Sequence, residues 1–363
     1  MRLLLAGGGT GGHLFPAVAL AQLLLAQDQE AAVQFVGTAK GLEARLLPKL
    51  GLPLQTVDMA GVVGRGWRGK LEMIPGLLKS MQQAKRIIQG FHPDLVLGVG
   101  GYSSVPVLLT AKRLGIPYLI HEQNAIPGLS NRLLGRWAKR IFLSFANSGR
   151  GFDARKTLVT GNPLRSGFAA VPAALPKNGK LLIFGGSRGA RAINQTVMDM
   201  LPLLKDWPEL PEILHQTGED DLLPVRQAYS AAGMDPQQVV PFIDDMAKAY
   251  ADARLIICRA GATTLAELTT CGRPAILIPF PFAAADHQTA NARALADVGA
   301  AKLLPQQELT AETLAALVGE LFADQKSLQR MADLGRTLGQ PGAAEKILNE
   351  CRRLLGIPLP EAG

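Results

Sequence analysis

Four times this chain runs from an apolar stretch into a glycine turn and out into a helix-forming stretch, and that device restricts it to an α/β fold with parallel strands. The first instance is Arg2-Leu3-Leu4-Leu5-Ala6, then Gly7-Gly8-Gly9-Thr10-Gly11-Gly12-His13, then Phe15-Pro16-Ala17-Val18-Ala19-Leu20-Ala21. Strand, glycine loop and helix in that order converge backbone N–H groups and a positive helix end on one point, where a phosphate or pyrophosphate can sit without a side-chain charge. The same glycines also serve simply to turn a chain sharply. His13 stands at the rim of the loop, either bonded to its own helix start or beside a bound phosphate ester as a proton-transfer group.

The second instance, Gly98-Val99-Gly100-Gly101-Tyr102-Ser103-Ser104-Val105-Pro106, follows the apolar run that begins at Leu95. Two such loops at one sheet edge suit a pyrophosphate better than a single phosphate; a tight turn that packs a helix close to the sheet needs the same residues. The third and fourth are Gly185-Gly186-Ser187-Arg188-Gly189 after Leu181–Phe184, and Arg259-Ala260-Gly261-Ala262-Thr263-Thr264-Leu265-Ala266-Glu267 after Leu255–Cys258. Glu267 lies in the first turns of its helix, where a carboxylate can take both hydroxyls of a ribose or act as a helix-dipole partner.

The runs Val33–Val36, Leu95–Val99, Tyr118–Ile120 and Ile141–Leu143 are continuously apolar rather than alternating, the pattern of strands covered on both faces by helices. Between Gly161 and Lys180 the rhythm breaks at Pro163, Pro172 and Pro176, then restarts with Leu181–Phe184, Glu212–His215, Leu255–Cys258 and Ala275–Ile278. Two doubly wound Rossmann-like domains are therefore expected, 1–161 and 162–340, facing each other across a cleft, with ligands beyond the carboxyl ends of the strands. A length of 363 residues, 48% of them hydrophobic, supports two cores.

Cys258, Cys271 and Cys351 are odd in number and far apart, which argues against a disulfide framework or a zinc site and fits a reducing compartment. No run reaches membrane-spanning length, and the start reads as a strand rather than a signal peptide. A formal net charge of +8 favours anionic partners, yet aromatic residues are only 5% and no basic stretch is interleaved with stacking residues, so nucleic acid is not expected. The absence of an Asp-x-Asp triplet or a cluster with metal-ligand spacing argues against a metal-held diphosphate. Helix ends, Ser187 and a cation such as Arg165 would instead stabilise a departing diphosphate. No cofactor is expected.

His121-Glu122-Gln123-Asn124 follows a strand and precedes the turn Pro127-Gly128 and a cation-rich helix expected over Asn131–Arg140. Glu122 reads either as an acid/base group or as the partner of Arg132 or Arg136. Asp286-His287-Gln288 and Asn291 add hydrogen-bonding groups after Pro279. Trp67, Ile74, Leu77, Leu78 and Met81, with Lys70, Lys79, Lys85 and Arg86 interspersed, form a stripe that either packs into the core or lies on an anionic bilayer. Arg132, Arg136, Trp137, Lys139 and Arg140 could extend that basic rim.

Taken in order, Gly7–His13, Gly98–Pro106, His121–Asn124 with Pro127-Gly128, Gly161-Asn162-Pro163-Leu164-Arg165, Gly185–Ala190, Phe242-Ile243-Asp244-Asp245-Met246, Arg259–Glu267 and Asp286–Asn291 resemble the MurG family across nearly the whole chain. These are the peripheral-membrane glycosyltransferases of peptidoglycan synthesis. The resemblance implies a GT-B fold whose last helix, Ala343–Leu355, crosses back to the first domain, so that 341–363 belongs with 1–161. It implies inverting, metal-independent transfer of N-acetylglucosamine from UDP-GlcNAc to the 4-hydroxyl of the MurNAc of lipid I (undecaprenyl-pyrophosphoryl-MurNAc-pentapeptide), giving lipid II. On the same basis His13 is the general base with Glu122 behind it. The donor contacts are Thr10, Gly11, Gly12, Asn124, Arg165, Ser187, Ile243, Ala262, Thr263, Thr264, Leu265, Ala266, Glu267 and Gln288, with uracil near Ile243 and ribose near Glu267. The acceptor pyrophosphate falls to Gly8, Gly9, Gly100, Gly101, Tyr102 and Ser103. The membrane patch is Trp67, Ile74, Leu78, Met81, Lys79 and Lys85, on the cytoplasmic face of the inner membrane, with cell-wall and division proteins as further partners.

Competing readings are a transferase of similar fold acting on another acceptor, against which the Gly98–Pro106 loop argues, and a nucleotide-sugar-binding subunit without turnover. An NAD dehydrogenase is disfavoured because no acidic residue is placed for a ribose at the second strand.

Overall fold

The structure, a computed structural model, describes residues 1–59, 73–186, 189–204, 207 and 211–360. Trp67, Lys70, Ser187 and Arg188 lie outside the described residues, as do the side chains of Met73 and Ile74. The chain divides into two units, Met1–Arg165 with Pro341–Gly363, and Ser166–Gln340.

In the first unit the strands are β1 (Arg2–Ala6), β2 (Ala32–Gly37), β3 (Leu54–Thr56), β4 (Leu95–Gly98), β5 (Tyr118–Glu122), β6 (Arg140–Leu143) and β7 (Thr157–Val159). They form one seven-stranded sheet, parallel throughout, in the order β3-β2-β1-β4-β5-β6-β7. The helices between them are α1 (Gly11–Gln27), α2 (Leu42–Leu46), α3 (Met73–Phe91), α4 (Ser104–Arg113) and α5 (Leu129–Gly135). Side chains of a strand alternate between faces, and here both faces are filled. Leu3 and Leu5 of β1 join α1 in one cluster, while Leu4 and Ala6 join Ala84 and Ile88 of α3 and Val107, Leu108 and Ala111 of α4 in another. This explains why the strands read as unbroken apolar runs.

The second unit repeats the scheme with β8 (Lys180–Phe184), β9 (Ile213–Gln216), β10 (Val239–Val240), β11 (Ala253–Cys258), β12 (Ala275–Leu277) and β13 (Lys302–Leu303). Its six parallel strands run in the order β10-β9-β8-β11-β12-β13. The helices are α6 (Arg191–Met200), α7 (Leu222–Ala231), α8 (Met246–Asp252), α9 (Ala262–Cys271), α10 (His287–Ala296), α11 (Ala311–Ala323) and α12 (Gln325–Leu338). Leu181, Ile183, Leu255 and Ile257 pack on one face against Ile193 and Val197 of α6 and Leu314 and Val318 of α11.

The chain then returns to the first unit through α13 (Ala343–Leu355). Ile347, Leu348 and Cys351 of α13 bury into the cluster that holds α1. Polar bonds pin its register: Arg140 Nε donates to the buried Glu350 Oε1 at 2.6 Å, and Arg352 Nη2 donates to Gln27 Oε1 at 2.8 Å. The stretch Asn131–Arg140 is not one helix; α5 ends at Gly135, because the chain must turn to enter β6.

Candidate functional site

Strand order changes direction between β1 and β4 in the first sheet and between β8 and β11 in the second. At such a switch point the adjoining loops part and leave a crevice beyond the carboxyl ends of the strands. All four glycine turns of the sequence sit at these two places.

In the first unit Gly7, Gly8 and Gly9 have φ of 144°, 150° and 88°, and Gly100 and Gly101 have 92° and 82°. L-residues rarely adopt these values. The two turns are also in contact: a Cβ on Gly7 would collide with the Gly100 carbonyl, and one on Gly101 would lie 2.9 Å from the Gly8 oxygen. The N-cap residue of α1 makes no side-chain cap bond and the first turn carries no acidic residue, so no carboxylate of that turn offsets its positive end. Thr10, the N-cap residue, directs its hydroxyl at His13 Nδ1 instead, 3.0 Å away. The far side of the His13 ring faces Gly100, whose Cβ would lie 2.7 Å from Cδ2 and 3.0 Å from Nε2. Arg165 stands over the Phe15 ring of α1 at 4.4 Å, which holds a cation beside the first turns of that helix. Not every loop N–H faces outward: Gly9 N donates to Glu43 Oε2 at 2.8 Å.

Glu122, expected as the group behind His13, is buried and held by several donors. It is 1% exposed, and its two oxygens accept bonds from Asn124 N (3.0 Å), Asn124 Nδ2 (3.4 Å), Gly128 N (3.0 Å) and Asn131 Nδ2 (2.8 Å). Burial raises its pKa against the lowering effect of those donors. Its bonds clamp the turn Asn124–Gly128, and among the described residues its bonded partners include neither Arg132 nor Arg136. Next to it Gln123 is also buried; Nε2 donates to Val99 O at 2.8 Å, and Oε1 lies 3.7 Å from the Cβ position of Gly100, with no hydrogen-bond partner. His121 donates from Nε2 to Gly161 O at 3.2 Å and is held neutral by burial, with its pKa lowered to about 4.

In the second unit α9 likewise starts with no side-chain cap and no acidic residue in its first turn. Glu267, one turn further in, is 6% exposed and accepts from Tyr250 Oη at 3.1 Å. Gln216 ties the expected donor contact Ile243 to the glycine turn after β8: its Nε2 donates to Gly186 O at 2.9 Å and its Oε1 accepts from Ile243 N at 2.9 Å. The Ile243 N–H therefore points into the protein. Gln288 Oε1 accepts from Phe280 N at 2.9 Å, which places the amide over the loop after β12. In that loop Ala285 and Asp286 both have φ of 52°, strained for residues with a Cβ. Arg259 is a structural pin, donating to the carbonyls of Ile278 and Pro279 and to Gln306 Oε1.

The stripe on α3 divides. Ser80, Ala84 and Ile88 face the core at four-residue spacing, Met81 is half-buried, and Leu78 is 60% exposed among the exposed Lys79, Lys85 and Arg86. Trp137, 40% exposed, lies under Lys112 at 3.4 Å and Arg136 at 4.4 Å. None of the helices, among the described residues, is long and apolar enough to cross a membrane.

Gln123 belongs to the His121–Asn124 motif of the sequence, whereas Gln216 and Glu43 carry no motif of their own. Position alone flags Gln216, which ends β9 at the ligand edge.

Two doubly wound units, each with paired glycine turns at its switch point, define the class: a GT-B α/β protein built to handle phosphorylated ligands. Residues 3–143 match the glycosyltransferase family 28 N-terminal domain and residues 180–347 the glycosyltransferase family 28 C-terminal domain. The UDP-N-acetylglucosamine–N-acetylmuramyl-(pentapeptide) pyrophosphoryl-undecaprenol N-acetylglucosamine transferase of Syntrophotalea carbinolica is 57% identical over 356 residues, covering 98% of this chain and 99% of the relative. That of Syntrophus aciditrophicus is 46% identical over 363 residues, covering 98% and 99%. The crystal structure of Acinetobacter baumannii MurG superimposes with a TM-score of 0.77 at 36% identity, covering 97% of this chain and 99% of that one. The chain belongs to this family of N-acetylglucosamine transferases.

Proposed function

We propose that the protein transfers N-acetylglucosamine from UDP-GlcNAc to the 4-hydroxyl of the MurNAc of undecaprenyl-pyrophosphoryl-MurNAc-pentapeptide, with inversion, to give lipid II. The observation that carries this is the end-to-end match at 57% identity to a transferase of that name.

The acceptor diphosphate rests on the Gly7–Gly12 and Gly100–Ser103 turns, at the positive end of α1. His13 takes the proton of the attacking hydroxyl. As that O–C1 bond forms, the C1–O bond to UDP breaks and the electron pair leaves on the diphosphate. The N-terminus of α9, with no side-chain cap and no acidic residue in its first turn, is suited to that developing charge without an ion, and Arg165, fixed over Phe15, is a cation of the first unit suited to a phosphate. Ile243 offers its carbonyl to the uracil, and Glu267 takes the ribose hydroxyls, exchanging the Tyr250 bond for them. The exposed Leu78 with Lys79, Lys85 and Arg86, and the Trp137 cluster, hold the protein on an anionic membrane surface, where the lipid acceptor resides.

The test is transfer of radiolabelled N-acetylglucosamine from UDP-GlcNAc to a short-chain lipid I analogue, with and without EDTA. Chelator-resistant product is expected. Product lost in EDTA would overturn the ion-free step, and donor binding without product would move the assignment to another acceptor.

A further inference from the structure

The geometry points to Glu43 as a positioning residue for the transfer: its buried carboxylate fixes the peptide plane between Gly8 and Gly9, and with it the shape of the turn that receives the acceptor diphosphate. This rests on the diphosphate reading given above.

Glu43 lies on α2, in the crossover from β2 to β3, and its exposure is 0%. Oε1 accepts from Thr38 N at 2.8 Å and Thr38 Oγ1 at 2.9 Å, which anchors the carboxylate to its own crossover. Oε2 reaches the other way, to Gly9 N at 2.8 Å, across 34 residues of sequence. The space it occupies is made by glycines from separate segments. A Cβ on Gly8 would lie 2.5 Å from the carboxyl carbon, one on Gly37 2.6 Å from Cγ, and one on Gly41 would collide with both oxygens.

The turn needs such an anchor. A peptide flanked by two glycines flips at little steric cost, and no atom lies within 4 Å of a Cβ on Gly9, so the crest of the turn is not shaped by packing. In a trans peptide the N–H and the preceding C=O point in opposite directions. With Gly9 N–H drawn down onto Glu43, the Gly8 oxygen faces the Gly101 side, where the two turns meet. The flipped plane would set the Gly8 carbonyl against a carboxylate, which like charge forbids. A carboxylate, with two acceptor oxygens and no donor, selects one orientation; an amide at this position would accept both.

Two variants test this. Glu43→Gln keeps an acceptor for Thr38 but offers NH2 to Gly9. Gly41→Ala evicts the carboxylate from outside the turn, at a residue whose φ of −79° suits any side chain. With the short-chain lipid acceptor, both are expected to raise acceptor KM or lower kcat by about tenfold or more, with KM for UDP-GlcNAc and melting temperature near the parent values. Gly101→Ala, read in parallel, tests the diphosphate site directly. If Gly101→Ala weakens the acceptor and neither Glu43→Gln nor Gly41→Ala does, the positioning role is wrong and the site stands. If none of the three affects the acceptor, the diphosphate reading falls and the inference with it. Equal losses for donor and acceptor with a lower melting temperature would make Glu43 a general structural residue and overturn the proposal. Should Glu43→Gln not fold, Gly41→Ala decides alone.

Discussion

His13 is bonded at Nδ1 to the Thr10 hydroxyl, and its opposite ring edge occupies the space that a Cβ on Gly100 would fill. When Nδ1–H donates to Thr10 Oγ1, the lone pair lies on Nε2, the tautomer a general base requires. The chemistry then predicts that His13→Ala lowers kcat by about 10² or more while donor affinity is kept. Steady-state kinetics paired with UDP-GlcNAc titration would check it; near-normal kcat would remove His13 from the role. For Glu122 the expectation is a positioning role, since its carboxylate is 1% exposed and already accepts four bonds. Its position at a strand end was legible in the sequence; its saturation was not, because the Asn131 amide and the Gly128 N–H reach it only after α5 has folded back. Glu43 was invisible for the same reason: the residue it serves is 34 positions away.

Among the elements, the central strands were legible because burial on both faces leaves nothing polar inside β1, β4 or β8, and in β11 only Arg254, ahead of the run Leu255–Cys258. The edges were not. β3, β7, β10 and β13 are only two or three residues long and partly solvated, so neither an apolar run nor an alternation marks them. The helix α3 was legible as amphipathic but ambiguous in purpose, since helical spacing of apolar residues fits a core or a bilayer equally. The structure separates the two uses by residue: Ala84 and Ile88 pack inward, whereas Leu78 projects outward beside cations. Leu78→Asp should therefore weaken binding to vesicles containing anionic lipid by about tenfold and leave binding to neutral vesicles, activity on a soluble acceptor and melting temperature nearly unchanged. Flotation with both vesicle types reads this out. A large drop in melting temperature would assign Leu78 to packing instead.

Across the whole molecule, each unit encloses one fully buried histidine, His121 in the first and His215 in the second, and burial lowers their pKa to about 4 and about 3. His215 is bonded at Nε2 to Asn194 Oδ1 and at Nδ1 to Tyr229 Oη, so it is satisfied as a neutral ring. The unfolded chain protonates both near 6.5. Below that value the unfolded state binds more protons than the folded one, so stability is complete above pH 6.5 and declines as pH falls toward the folded pKa values. At pH 5 each histidine withdraws about 2 kcal/mol. The units should not respond alike. In the first, Glu122 has a pKa raised by burial, so the folded state takes up its proton more readily than the unfolded chain and acid relieves that penalty, offsetting part of the loss from His121. The second unit is accordingly expected to open first in acid. Hydrogen–deuterium exchange at pH 7 and pH 5, corrected for intrinsic rates, should show protection falling further in β8, β9 and β11 than in β1, β4 and β5. His215→Gln, which can still bond Asn194, should abolish most of that excess. Equal losses in both sheets, or an excess that survives His215→Gln, would show that acid acts on this molecule through some other group.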